Sequence, residues 1–442
     1  MQDFVEHPMR RALNDELHAR KFNDFEGTGR FIRYVYFMQG HDLGLLAKVN
    51  QMLTKLGLPE MGADEKFIRH DLASYALRVE RHTEFMSLSL IDRDDKPCRY
   101  PTTQAFDEAA FPHLPFEDIA AFGHPLFHAM WLEIQTMPKS LPDAQQMQDY
   151  LGGRAIAASQ VSAKGAHLYC NFDIDDAGYS RMVLLNDQIA SHRMGRFIQR
   201  AIELETYRLL ALLSLPKVKA HAPDLDQIEA TLRSATNALA DMHRASDSDG
   251  QTTEADRLLS QLTALAAQLE QIHSQTSYRF AASAAYQDIV TARLAAMNTS
   301  RLDGFQSIRG FLDKRMMPAM QTATAFAARM ERLSQRIAQA GQLQRSQTEL
   351  VLQKQNRDLL VSMNKRTSAQ LRLQQTVEGL SIAAVTYYAV SLVGYLAGGA
   401  PLAEWGLEKT LIQALSVPVI AFLAWQNIKR VSRALASRPP QD

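Results

Sequence analysis

The sequence predicts an α+β (or α/β) N-terminal cytoplasmic domain, then a long α-helical hairpin or stalk region, then a C-terminal two-helix transmembrane hairpin. Three observations carry that reading. Eleven of the sixteen prolines lie between Pro8 and Pro223, whereas only Pro318 falls within residues 224–377. Proline removes a backbone N–H and clashes with the preceding turn, so its near absence permits long helices. The first half consists of short apolar runs broken by turn residues, and two stretches near the end carry no ionisable side chain.

In chain order, residues 1–25 read as an N-terminal helical segment and 26–217 as the α/β domain. Residues 31–38 (FIRYVYFM) are aromatic and β-branched, as strands are. Residues 75–91 hold two strand stretches on either side of 81–83. Residues 131–135, 155–161, 167–174 and 181–185 complete the strand set, with Asp175-Asp176-Ala177-Gly178 as the turn of a hairpin. Helical patterns cover 43–56 and 189–215, the second stopping at Pro216. Strands alternating with helices define the class, but not the strand order.

Residues 224–377 form the long-helix domain. Helices are expected over 224–245, 254–298 and 302–314, with a loop at 246–253. Pro318 fits the first turn of a further helix running to about residue 378. Such a helix, roughly 90 Å long at 1.5 Å per residue, reads as a stalk or coiled coil. Its apolar positions Met320, Leu333, Ile337, Leu352, Leu359 and Met363 follow a heptad only in part, so the oligomer number is left open.

The transmembrane hairpin is placed at 378–428. Its spans, about 379–398 and 410–428, are each close to the ~20 residues that cross a bilayer. Lys354, Arg357, Lys365, Arg366 and Arg372 precede the first span; Lys429, Arg430, Arg433 and Arg438 follow the second. The connecting loop holds only Glu404, Glu408 and Lys409. The positive-inside rule then puts both termini in the cytoplasm, the loop outside, and 429–442 as a basic cytoplasmic tail. Two buried core helices are the alternative.

Composition limits the function classes. The 442 residues carry 48 basic and 48 acidic side chains, a balance that argues against a broad grip on nucleic acid. Two cysteines, Cys98 and Cys170, make neither a disulfide framework nor a four-thiolate zinc site, and free thiols suit a reducing compartment. No phosphate-binding Gly-rich loop, dinucleotide fingerprint or Gly-x-Ser-x-Gly elbow occurs, so no nucleotide partner is expected.

Three constellations stand out. Gln370, Gln374, Glu378, Ser381, Tyr388 and Tyr395 are spaced 4, 4, 3, 7 and 7, which aligns them on one helical face entering the membrane. In an oligomer that face lines a pore, with Glu378 at its mouth; in a single chain it anchors at the interface and bonds between helices. Arg78, Glu80, His82 and Glu84 alternate as on one strand face, where carboxylate–His–carboxylate suits a divalent cation or acid–base work. A solvated sheet face has the same alternation, and a turn at His82 dismantles the site. His7, Arg11, Asn14 and His18 share a helical face suited to an anion or a partner, or to simple docking. Two weaker hints are the acidic run Asp173, Asp175 and Asp176, read as a hairpin turn, and the pair His124 and His128, which lacks a third metal ligand.

The stretches HPMRRALNDELHAR (7–20), RVERHTEF (78–85), GYSRMVLL (178–185), ETYRLLALLSLP (205–216), SYRFAASAAY (277–286), QNRDLLVSMNKR (355–366) and LRLQQTVEGLSIAAVTYY (371–388) resemble a bacterial family of uncharacterised membrane-anchored proteins. The family pattern has Pro after His-Ala-Arg, where this chain has Lys21. The resemblance implies an architecture, not a chemistry, and a place in the bacterial inner membrane. The layout is also similar in topology to two-helix magnesium transporters of the CorA type. Their Gly-Met-Asn signature is absent; Gly394-Tyr395-Leu396-Ala397-Gly398-Gly399 stands there.

The expectation is therefore a membrane-anchored homo-oligomer, not an enzyme, that conducts ions under control of its cytoplasmic domain. The alternatives are a tethered scaffold or ligand-binding module and, third, a tethered metal-dependent enzyme.

Overall fold

The structure is a computed structural model that describes residues 7–11, 24–38, 43–162, 165–244, 251–399 and 409–436. The chain divides into two compact units. The first comprises Met1–Ser246 with Arg257–Gly341, and the second Asp247–Asp256 with Gln342–Asp442.

The first unit is built on a nine-stranded sheet. Its strands are β1 (Gly29–Phe37), β2 (Phe67–Asp71), β3 (Tyr75–Arg81), β4 (Phe85–Arg93), β5 (Leu126–Thr136), β6 (Ala157–Val161), β7 (Ala166–Cys170), β8 (Tyr179–Asn186) and β9 (Ser300–Arg301). They lie in the order β2-β3-β4-β1-β5-β8-β7-β6-β9. β5 and β8 pair in parallel; the other pairs are antiparallel. β1 is central and buried along eight of its nine residues, which is why its sequence is aromatic and β-branched almost throughout. A Cβ at Gly29 would collide with the Asp92 carbonyl, so only glycine lets β1 approach β4 there.

One sheet face packs on helix α1 (Leu43–Lys55). Ile32, Tyr34, Tyr36, Leu77, Val79, Leu88, Leu90 and Trp131 meet Leu45, Val49 and Leu53. The other face packs on α4 (Ser191–Ala211), which buries Met194, Phe197, Ile198, Ala201, Ile202 and Glu205 at helical spacing. Two short helices, α2 (Phe116–Ala120) and α3 (Ala144–Leu151), lie in the connections; a capping box between Asp143 and Gln146 starts α3.

Three long helices follow: α5 (Ser214–Arg244), α6 (Gln251–Ala296) and α7 (Ile308–Gly399). Two expected boundaries are corrected. The helix expected to stop at Pro216 ends at Ala211, and Pro216 lies in the first turn of α5, where its missing N–H has no intrahelical partner to lose. Pro318 starts no new helix; α7 runs through it without a break from Ile308. An interior proline costs about 3 kcal/mol. Flanking Phe311, Leu312, Met316 and Met320, all buried against the sheet and α4, offset that cost.

In the first unit these helices share one core with regular 3–4 spacing. It joins Leu225, Ile228, Leu232, Ala235 and Leu239 of α5 to Leu258, Leu262, Leu265, Leu269 and Ile272 of α6, and to Ala323, Phe326, Met330, Leu333, Ile337 and Ala340 of α7. Of the heptad positions expected in α7, Leu333 and Ile337 enter this core, Met320 packs in the sheet core, and Leu352, Leu359 and Met363 are exposed.

In the second unit, residues 342–399 of α7 and helix α8 (Lys409–Ala436) predominate. Each helix contains an 18-residue window long and apolar enough to cross a membrane, with mean hydropathy 1.6 in α7 and 1.5 in α8. Gly394 is the point of close approach between them, since a Cβ there would collide with the Gln413 amide.

Candidate functional site

All but two of the candidate residues, Asn14 and His18, fall among the described residues. Arg78 and Glu80 lie on β3, facing α4. The strand ends at Arg81, so His82 sits in the turn to β4, its N–H donating to the Phe85 carbonyl at 2.8 Å and its ring stacked on Phe85. Glu84 lies beyond that turn. The four residues therefore form no single site: Arg78 and Glu80 pair, while Glu84 turns to other partners. Arg78 donates to Glu80 at 2.6 Å, and Arg33 of β1 lies 3.2 Å from the other Glu80 oxygen and donates to Ser87 Oγ at 2.7 Å. Glu84 is held by Arg279 and by Tyr286 Oη at 2.6 Å, both on α6. The charge alternation thus marks a buried, cross-linked face and not a solvated one. Among the described residues, no group of three or more His, Cys, Asp or Glu is placed to hold a metal ion.

Burial alone pushes the Glu80 carboxyl up, but Arg33, Arg78 and His82 outweigh it and hold the carboxyl at about 2. The same burial lowers Arg78, which faces Arg33 as a like charge.

His128 and Ser180 form a pair that the sequence did not single out. His128 Nε2 lies 3.0 Å from Ser180 Oγ and 3.5 Å from Glu205, which Arg208 also grips. A hydrolytic triad needs the acid on the opposite ring nitrogen, to orient the imidazole toward the hydroxyl. Here serine and carboxylate share Nε2, and His128, Ser180 and Glu205 are all buried. The arrangement ties α4 to the sheet. The acidic turn is structural as well: Asp175 accepts from the Tyr179 N–H and pairs with Arg181.

The most developed site lies at the opposite end of β1. Arg30 stands directly across from Asp92 on β4 and from Glu133 on β5. Its guanidinium bonds Asp92, donates to Asp94 at 2.5 Å and approaches Glu133 at 3.5 Å, with the Phe111 ring 3.7 Å beneath it. Trp131 donates its indole N–H to Glu133 at 2.6 Å, and His113 Nε2 lies 3.1 Å from Asp92. This cluster floors an open cleft of about 660 Å³, rimmed by Arg69, Asp71, Tyr75, Arg93 and Asp95. One guanidinium serves three carboxylates. Burial therefore prevails at Glu133, raising it to about 7 despite Arg30. Arg30 is itself raised, because Glu133, Asp94 and Asp92 together outweigh its own burial. Oδ2 of Asp94 is shielded and has no hydrogen-bond partner among the described residues. Two arginines in an aromatic strand (GRFIRYVYF) and the run IDRDD were the sequence signals of this site.

The chain matches, over residues 5–435, the family described as "Protein of unknown function (DUF3422)". The chain belongs to that family. No curated protein matches it. DUF3422 membership thus carries the uncharacterised-family reading of the sequence and lends none to the CorA-type likeness, which rests on topology alone.

The remaining candidates lie elsewhere. Gln370, Gln374, Glu378, Ser381, Tyr388 and Tyr395 all fall on α7, where Gln374 bonds Glu378 at 3.3 Å; Tyr388 and Tyr395 are exposed. His7 accepts from the Met9 N–H at 3.2 Å, and Arg11 is exposed. Asn14 and His18 lie outside the described residues.

Proposed function

We propose that this member of the DUF3422 family is a membrane-anchored ligand-binding module. Its first unit holds a small polar ligand in the Arg30–Asp92 cleft, and α8 with the apolar run of α7 anchors it to the inner membrane. The observation that carries this reading is the pair of helices in the second unit. Leu380, Tyr387, Tyr388, Leu392 and Leu396 of α7, and Leu415, Val419 and Phe422 of α8, turn large apolar side chains outward. Soluble monomers rarely expose such contiguous apolar surface, whereas a bilayer covers it.

The cleft favours a ligand with a cationic group. Asp71, Asp92, Asp94 and Asp95 outnumber Arg30, Arg69 and Arg93 along its wall. The basic flanks support a cytoplasmic position for both termini. In washed membranes the protein should resist alkaline carbonate and leave only with detergent; release by carbonate refutes the anchor. A cysteine at Glu404 should label from outside with an impermeant maleimide, and one at Ser437 should not. The reverse pattern refutes the orientation.

One observation favours a second reading. The stripe from Gln370 to Tyr395 shares one face of a single unbroken helix, as an oligomeric ion pathway requires. Glu378→Gln should then reduce cation flux in liposomes several-fold; unchanged flux removes that reading.

A further inference from the structure

Between Leu352 and Leu380, α7 carries a stripe that is exposed among the described residues. Its positions are Leu352, Asn356, Leu359, Met363, Arg366, Gln370, Leu373, Val377 and Leu380, alternating in steps of four and three. This is a heptad sustained over four repeats, with leucine at four of the five d positions and Asn356, Met363, Gln370 and Val377 at a. Six of these nine side chains are large and apolar, and each is at least half exposed, from 50% at Leu352 to 74% at Leu380. The charges avoid the stripe. Lys354, Arg357, Asp358, Lys365, Arg372 and Glu378 fall at b, c or f, and only Arg366 lies on the seam, where a long side chain can lead its charge outward. Leu360 at e widens the seam; Val361 and Leu371 lie off it.

We infer that a second copy of this chain covers the stripe, pairing in parallel and in register along residues 352–380. The pattern selects that occupant. In parallel register each layer meets its own kind: Asn356 faces Asn356, Gln370 faces Gln370, and the apolar layers face apolar ones. Antiparallel pairing about Arg366 would set Asn356 against Val377 and Gln370 against Met363, burying amides on apolar partners. A polar residue at an a position is a known device for fixing register.

The area suffices. Burying a Leu or Met side chain, worth ~1.5–3 kcal/mol, removes roughly 100 Å² of apolar surface. Six such layers hide about 1,200 Å² per pair, the lower end of specific interfaces. The three-helix core of the first unit shows what this sequence does when partners are in reach: its 3–4 stripes are fully covered.

The inference does not depend on membrane anchoring. Carbonate extraction reads the anchor, and the following test reads the seam, in detergent or in buffer. Single cysteines are placed in the full-length chain, in a background with Cys98 and Cys170 replaced by serine and alanine. Leu352→Cys, Asn356→Cys, Leu359→Cys and Met363→Cys on the seam are compared with Lys354→Cys, Arg357→Cys and Val361→Cys off it. Under mild oxidation the seam set should form same-residue disulfides between copies at least tenfold faster, and the uncrosslinked protein should show at least twice the chain mass. Leu359→Asp combined with Met363→Asp should return it to one chain mass with an unchanged far-ultraviolet helix signal. Three results overturn the inference: equal rates at all seven positions, same-residue disulfides confined to the neighbourhood of Arg366, or a parent protein of one chain mass.

Discussion

Glu80 and Glu133 occupy the same sheet, are both buried, and differ in almost every electrical respect. Glu80, on the α4 face, is held at about 2; Glu133, on the α1 face, rises to about 7. Burial pushes both upward. The difference lies in the ratio of guanidinium to carboxylate. Arg33 and Arg78 share the single Glu80, whereas Glu133 shares the single Arg30 with Asp92 and Asp94. The arginines differ as well: burial prevails at Arg78, with Arg33 adding to it, whereas at Arg30 burial is outweighed by Glu133, Asp94 and Asp92. One cluster is rich in cations and closed over by α4. The other is rich in anions and borders an open cleft.

The largest test of this contrast removes a guanidinium from each side. Arg30→Met leaves several carboxylates without their shared partner and should cost about 3–5 kcal/mol, read by hydrogen exchange of the β1 and β5 amides. Arg33→Met leaves Glu80 still bound to Arg78 and should cost less than half as much. Equal losses would show that the ratio of charges is not what separates the two clusters.

Next comes pH. The folded pKa of Glu80 lies below the usual 4.5, so its contribution is complete above pH 4.5 and is lost as pH falls through about 2. At 1.36 kcal/mol per unit the displacement is worth about 3 kcal/mol. Glu80→Gln should forfeit that amount at pH 7 and flatten the acid limb of the same exchange measurement. Glu133 has the opposite sign. Its contribution is complete below pH 4.5 and is lost as pH rises through about 7, so Glu133→Gln should abolish a decline of about 3 kcal/mol across that window. A slope that persists in Glu133→Gln would assign the titration to another group.

The smallest effect belongs to the rim. Arg69 pairs with Asp71 at 2.6 Å, but Asp71 is largely in water. Arg69→Ala should change stability by less than about 1 kcal/mol while strengthening capture of a small cation, read by calorimetry.

The sequence foresaw most strands, because β1, β3, β4, β5 and β8 are dense in aromatic and branched residues. It missed both edge strands: β9, only two residues long, and β2 (FIRHD), whose residues are partly exposed and mostly polar, so no alternation marks it. The Pro318 boundary was misplaced because a local rule was overridden by tertiary packing of Phe311, Leu312, Met316 and Met320. The cleft was the hardest to read. Arg30 meets Asp92 across 62 residues of chain, and Glu84 meets Arg279 across 195. Such partners are set by sheet register and helix docking, which no short motif encodes. What was visible was the anomaly itself: arginine at positions 30 and 33 of a strand otherwise fit for a core.

The two-residue strand β9 has a consequence for how the chain is made. It seals the free edge of β6, pairing Ser159 with Arg301 and Gln160 with Ser300, after α4, α5 and α6 have intervened. At ~5–20 residues per second of synthesis, the edge of β6 waits on the order of ten seconds for its cover. During that interval it presents unpaired backbone groups, the arrangement that invites strand addition between nascent chains. Chain order thus leaves residues 159–160 of β6 without their β9 partners until α6 has been made.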